Sequence, residues 1–226
     1  MQSFIFALGS GLCHQLPERS FFFNGIQLPL CARCTGIYLG FVCAFTLLAI
    51  VYWRAPRRGG LSRFFYVSIA LLGVPLVFDG LSSYLGFRGT TNTIRLLSGA
   101  AFGTLLAAPI YYIVCDALLK KASSQVILSD WKARLLWYFS VPITFVFVKV
   151  LGALSPLALT FFMGISIVLV FALTMCALVA MIPRFERSVD SVRSAIAPAL
   201  ISWCAGCVLL WGTWALQTAV HRLAGL

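Results

Sequence analysis

The stretch LLWYFSVPITFVFVKVLGALSPLALTFFMGISIVLVFALTMCALVAMIP, residues 135–183, contains one charged side chain, Lys149. A helix crossing roughly 30 Å of hydrocarbon needs about 20 mostly apolar residues, so this run holds two crossings. Ser155-Pro156 divides them, because proline disfavours the α region for the residue before it and suits the first turn of a new helix. Leu135–Leu154 and Leu157–Pro183 are therefore predicted to form a tight helical hairpin. The same test, carried outward, marks Thr35–Trp53, Phe64–Leu85, Leu96–Cys115 and Ala195–Val220. The predicted fold class is all-α, a polytopic membrane bundle of about six transmembrane helices. Composition agrees, since 61% of the 226 residues are hydrophobic and 10% charged, with mean hydropathy +0.98. Too few polar residues remain to coat a water-facing surface, which excludes a soluble fold, a disordered chain and a disulfide-rich miniprotein.

The formal charge of +11 is read as topology. Arg54, Arg57, Arg58 and Arg63 follow the first span, Lys120, Lys121, Lys132 and Arg134 the third, and Arg184, Arg187 and Arg193 the fifth. Short basic links of this kind face the cytoplasm. The amino-terminal segment, the link from Asp79 to Arg95, the turn at Ser155 and the carboxyl terminus then share the opposite face. No basic tail or aromatic-interleaved basic patch exists to follow a phosphate backbone, so no nucleic-acid partner is expected. Membrane lipids are the expected surroundings, in the cytoplasmic (inner) membrane of a prokaryote. Nothing in the sequence specifies an oligomeric state.

Residues 1–12 are apolar but too short to span, and lack the basic start and small-residue cleavage site of a secretory signal. An interfacial or re-entrant segment is expected there. The organisation read from the chain is a Cys/His-bearing segment 1–34, a three-span unit 35–119 and a three-span extension 120–226 within one membrane domain.

Of eight cysteines, three stand ahead of the first span. Cys13 with His14, then Cys31 and Cys34 as Cys-Ala-Arg-Cys, gather at one surface. A Cys-x-x-Cys at a helix entrance lets both sulfurs face one point, and the helix amino terminus favours thiolate. Cys13, His14, Cys31 and Cys34 supply four donors for zinc or another soft transition metal, although adjacent Cys and His are awkward joint ligands. Alternatively Cys31 and Cys34 cycle between dithiol and disulfide with Cys13 as exchange partner, or simply staple the segment. Cys204 and Cys207 lie inside the sixth span and are read as packing residues.

On the same expected face stand Asp79-Gly80 and then Arg88-Gly89-Thr90-Thr91-Asn92 with Arg95. Charged groups at this depth face a cavity, a partner or a substrate. Arg33, Asp79, Arg88, Thr91, Asn92 and Arg95 are the candidate ligands of a small anion or lipid phosphate. Mutual neutralisation of Asp79 by an arginine is the competing reading. Gly36-x-x-x-Gly40 and Gly99-x-x-x-Gly103 lie in spans running the same way, and close contact between them would bring Arg33 near Arg95. Glu18-Arg19 reads as an interfacial pair and Lys149 as a snorkelling lysine.

Cys13-His14-Gln15-Leu16-Pro17-Glu18-Arg19-Ser20-Phe21, Gly25 and Pro29-Leu30-Cys31-Ala32-Arg33-Cys34-Thr35-Gly36-Ile37-Tyr38-Leu39-Gly40 form a long, unusual string. It resembles the signature of the membrane family called domain of unknown function 2085 (DUF2085). Asp79-Gly80 and Thr91-Asn92-x-x-Arg95 with Gly99 are similar to its later pattern. The resemblance covers roughly the first half of the chain and implies a small multi-pass membrane protein without naming an activity.

Three functions follow from these residues. The first is a metal-type centre beside an arginine pocket, acting in binding, transport or modification of an anion. The second is a membrane thiol-disulfide oxidoreductase, linked to a quinone, using Cys31 and Cys34. The third is a scaffold subunit whose polar residues pair internally. Ser-His-Asp order, a phosphate-cradling glycine loop and paired catalytic carboxylates are all lacking, which removes support for hydrolase or kinase chemistry and leaves enzyme status open.

Overall fold

The computed structural model describes residues 2–87 and 89–223. It is an all-α bundle with six helices long and apolar enough to cross a membrane: Ala32–Val51, Arg63–Ser83, Asn92–Leu118, Trp131–Leu154, Pro156–Val179 and Val192–Val220. We label the helices α1 (Gln2–Ser10), α2 (Ala32–Val51), α3 (Arg63–Ser68), α4 (Val74–Tyr84), α5 (Asn92–Leu118), α6 (Trp131–Leu154), α7 (Pro156–Val179) and α8 (Val192–Leu223). A π-helical stretch, Ile69–Gly73, fuses α3 and α4 into the second span. Ser155 separates α6 from α7 as expected, with its hydroxyl accepting from the Ala158 N–H at 3.3 Å.

The central axis is the parallel pair α2 and α5, and glycine makes it. A methyl group added at Gly99 would strike the Arg33 carbonyl, one at Gly103 the Ile37 carbonyl, and one at Gly36 the Leu96 carbonyl. Backbones this close exclude any Cβ, which is the packing that small residues permit in a bilayer. A buried polar contact joins α5 to α6, where Thr104 Oγ1 lies 2.7 Å from Ser140 Oγ and Trp137 Nε1 donates to the Thr104 carbonyl at 3.1 Å.

The two ends differ in construction. At one end the three basic links are knitted together by backbone hydrogen bonds, among them Arg58 N–H to Ser123 O (2.9 Å), Ser62 N–H to Ile127 O (3.1 Å) and Lys120 N–H to Val189 O (2.9 Å). At the other end the chain before α2 forms an antiparallel hairpin, β1 (Ser20–Phe23) and β2 (Ile26–Cys31). Asn24 and Gly25 turn it with φ of 51° and 75°, the left-handed pair that a two-residue hairpin turn requires. α1 is wedged against the bundle, with Ile5 against Gly164 of α7 and Gly11 against the Thr213–Trp214 backbone of α8. The Lys149 ammonium sits 4.3 Å from the Phe21 ring centroid of the hairpin, a cation–π contact.

Candidate metal and anion site

The hairpin positions the sulfurs. β2 runs directly into α2, so Cys31 takes the N-cap position and Cys34 lies in the first turn, where its side chain reaches back towards the cap. Gln15 brings Cys13 to them. Its backbone takes φ 53°, and its amide donates to the Phe6 carbonyl of α1 and the Pro29 carbonyl of β2, both at 2.8 Å. Gln27 closes the loop by donating to the Gln15 carbonyl at 2.9 Å. The result is three thiols, Cys13, Cys31 and Cys34, whose sulfurs all lie within 4.8 Å of one another.

These three thiols share their protons unequally. Hydrogen bonds from the Cys31 and Cys34 side chains hold Cys13 well below the ordinary thiol range despite its burial. The Cys31 N–H adds a further donor to the Cys13 sulfur at 3.3 Å. Cys31 is pushed the other way, chiefly by its hydrogen bond to Cys13. Binding a soft cation at these sulfurs would displace the protons the thiols carry.

A cavity of about 180 Å³ opens beside the sulfurs, lined by Cys13, Cys31 and Cys34 and by Arg19, Arg33 and Arg95 among others. His14 lines the same cavity but is exposed, and it stands outside the sulfur cluster. Arg33 reaches Asp79 of α4 in a short ion pair, and Asp79 is 2% exposed. Ser98 Oγ is 3.5 Å from the same carboxylate oxygen. The other Asp79 oxygen, Oδ1, and Arg33 Nε have no hydrogen-bond partner among the described residues. Asp79 thus stands behind Arg33 and does not line the cavity.

Asn92 likewise acts from behind. Its amide donates to the Ser20 carbonyl of β1 at 2.9 Å, and its oxygen accepts from Arg95 Nη1 at 3.0 Å. It therefore fastens α5 to the hairpin while aiming Arg95. Thr91 caps α5, with its hydroxyl accepting from the Ile94 N–H at 3.3 Å. Arg88 lies outside the described residues.

Arg19 and Gln15 escaped the sequence reading. Arg19 was assigned to Glu18, yet among the described residues no carboxylate pairs with it. It lines the cavity because Ser20 registers against Cys31 across the hairpin. The signal for this was Asn24-Gly25 between apolar runs, a hairpin turn that folds Arg19 back over the Cys-x-x-Cys.

A polytopic helical membrane protein with a cysteine-bearing hairpin at one end is thus defined. Its residues 13–108 match the family model described as a predicted membrane protein, DUF2085. The chain is 31% identical over 121 residues to an uncharacterized protein of Methanocaldococcus jannaschii, covering 52% of this chain and 72% of that one. It is 38% identical over 100 residues to an uncharacterized protein of Methanothermobacter thermautotrophicus, covering 42% of this chain and 81% of that one. The chain belongs to the DUF2085 family. The matched region contains the whole sulfur and arginine site and ends within α5, so α6, α7 and α8 lie beyond it. No solved structure matches the chain.

Proposed function

We propose that this protein binds an anion at a thiolate metal centre on one membrane face, the observation that carries the reading being three clustered sulfurs opening on three arginines. The donor set suits a soft or borderline cation. Tetrahedral zinc at about 2.3 Å from sulfur separates its ligands by roughly 3.8 Å, so the cysteines need shift by only a fraction of their present spacing. Three protein ligands leave a fourth position open, whereas a structural site fills all four. A zinc ion held by these sulfurs would act as a Lewis acid towards an anionic oxygen. Arg19, Arg33 and Arg95 line the same cavity as the sulfurs and would supply charge-assisted hydrogen bonds to the anion. Asp79 and Asn92 hold two of those arginines in place. The expected orientation puts the site on the extracytoplasmic face, opposite the basic links.

The test is elemental analysis of the purified protein with thiol titration before and after reduction. About one zinc per chain that disappears in Cys31→Ser, and a cobalt-substituted centre whose charge-transfer bands shift on adding inorganic phosphate, are the expected results. Metal-free protein releasing two thiols only after reduction would overturn this reading. It would raise instead the thiol-disulfide oxidoreductase, for which Cys13 offers a third sulfur, with turnover by a quinone distinguishing it from a static disulfide. There a partner dithiol reduces the Cys31–Cys34 disulfide through a mixed disulfide and leaves as a disulfide itself, and a quinone takes two electrons and two protons as Cys31 and Cys34 re-form their bond, with Cys13 as exchange partner.

A further inference from the structure

α1 stands between the arginine cavity and a second, larger depression. Ala7 and Leu8 form one wall of an apolar groove of about 460 Å³, and Val168 of α7 with Leu210, Trp211 and Trp214 of α8 form the others. Leu12 lines the cavity, while Gly11 touches the backbone at Trp214. Leu8, Leu12, Val168 and Leu210 pack into the same hydrophobic cluster as Cys13 and Leu30. α1 ends at Ser10 and the chain turns back at once, with Leu12 and Cys13 N–H both donating to the Gly9 carbonyl, so the groove residues Ala7 and Leu8 stand only a few residues from the cavity residues Leu12 and Cys13.

Charge and polarity are distributed along that path as in an anionic lipid. Three guanidinium groups stand at the cavity, and among the described residues no charged side chain lines the groove. Trp211 and Trp214, 66% and 39% exposed, flank the groove as indole rings do near a membrane interface. We infer that the anion is the terminal phosphate of a membrane lipid, with its head against Arg19, Arg33 and Arg95 and one hydrocarbon chain in the groove between α1, α7 and α8. This rests on the anion-binding reading and specifies its ligand. A free phosphate would use the cavity alone, and the built groove on the other side of α1 would then have no part in the function.

The experiment places the full chain in phosphatidylcholine nanodiscs containing a few per cent of phosphatidic acid with brominated acyl chains. Bromine quenches nearby indole, and the difference between the protein and its Trp211→Phe, Trp214→Phe form isolates the groove signal. Brominated phosphatidic acid should quench that signal several-fold more than the same fraction of brominated phosphatidylcholine. The preference should vanish in Arg95→Gln and in Ala7→Phe, with Val168→Phe replacing the latter if it does not fold. Equal quenching by the two lipids in the unaltered protein overturns the inference. The cobalt spectrum separates the two levels: if inorganic phosphate shifts it while the lipids quench equally, the anion site stands and the lipid ligand falls. A spectrum insensitive to phosphate, together with equal quenching, removes both.

Discussion

The arginines at the two ends of the bundle are used differently. At the basic end Arg57 is held from several sides: it pairs with Asp130 at 2.6 Å, donates to the Val126 carbonyl at 3.0 Å and to Ser129 Oγ at 2.7 Å, and covers the Tyr52 ring at 4.6 Å. Arg134 donates to the Leu128 and Ser129 carbonyls, both at 2.8 Å, and stacks on Phe64. At the sulfur end, among the described residues, Arg33 Nε and Asp79 Oδ1 have no hydrogen-bond partner and no carboxylate pairs with Arg19 or Arg95. Guanidinium donors held by carbonyls and rings fasten loops. Donors left over beside a cavity are available to a ligand, since unmet polar groups in a low-dielectric setting favour a partner.

Both ends share the α2 and α5 axis, so the largest expected effect removes the contrast altogether. Gly99→Leu places a branched side chain where the Arg33 backbone lies, and neither helix can move aside without unseating the hairpin or the basic links. Overpacking in a core costs about 1–3 kcal/mol, occasionally more, and a collision with backbone that cannot repack exceeds that range. Failure to recover monodisperse protein in detergent is the expected outcome, and normal yield would show that the axis is not as tight as described.

Next is Arg33→Ala, which strands Asp79 at 2% exposure. Removing one partner of a buried pair costs about 3–5 kcal/mol, whereas replacing both by apolar groups is often neutral. The double variant Arg33→Met, Asp79→Leu should therefore melt close to the unaltered protein and yet lose the phosphate response of the cobalt centre. A double variant that still responds would make the pair purely structural, like the arginines of the other end. Arg57→Ala is the counterpart. It should lower stability by about 1–2 kcal/mol, because Asp130 is exposed enough for water to replace the ion pair, while zinc content and phosphate response stay unchanged.

This contrast was only half legible beforehand. The six crossings follow from hydropathy and bilayer thickness, because backbone satisfaction in lipid leaves few alternatives, and Ser155-Pro156 marks the α6–α7 turn as read. The glycine pairs gave the α2–α5 contact, since small residues at matched depth can approach. The sulfur end resisted because its geometry depends on side chains acting at a distance along the chain. Gln15 is an ordinary polar residue until α1 and β2 present two carbonyls to it, and Asn24-Gly25 is a strong local turn signal that an all-helical expectation passes over. His14 was grouped with the thiols by adjacency, but the turn at Gln15 leaves it on the cavity wall outside their cluster. Asp79, a candidate ligand or an arginine's partner by sequence, pairs with Arg33, and Asn92 hydrogen-bonds Arg95, pairings that no spacing rule specifies.

The smallest effects separate neighbours. Thr91 and Asn92 adjoin in sequence and both stood as candidate ligands, yet the hydroxyl of Thr91 meets only the first turn of α5, whereas the amide of Asn92 meets Ser20 and Arg95. Thr91→Ala should cost about 1 kcal/mol, as loss of an N-cap does, without altering phosphate affinity at the cobalt centre. Asn92→Ala should cost a similar amount in thermal melting, since it too loses hydrogen bonds at a helix end. It should also weaken phosphate binding by about three- to tenfold, because a guanidinium freed from its amide partner must be ordered again by the ligand. Equal phosphate affinities in the two variants, measured by titrating the charge-transfer bands, would mean that Arg95 is not aimed by Asn92 and that its place at the cavity carries no binding role.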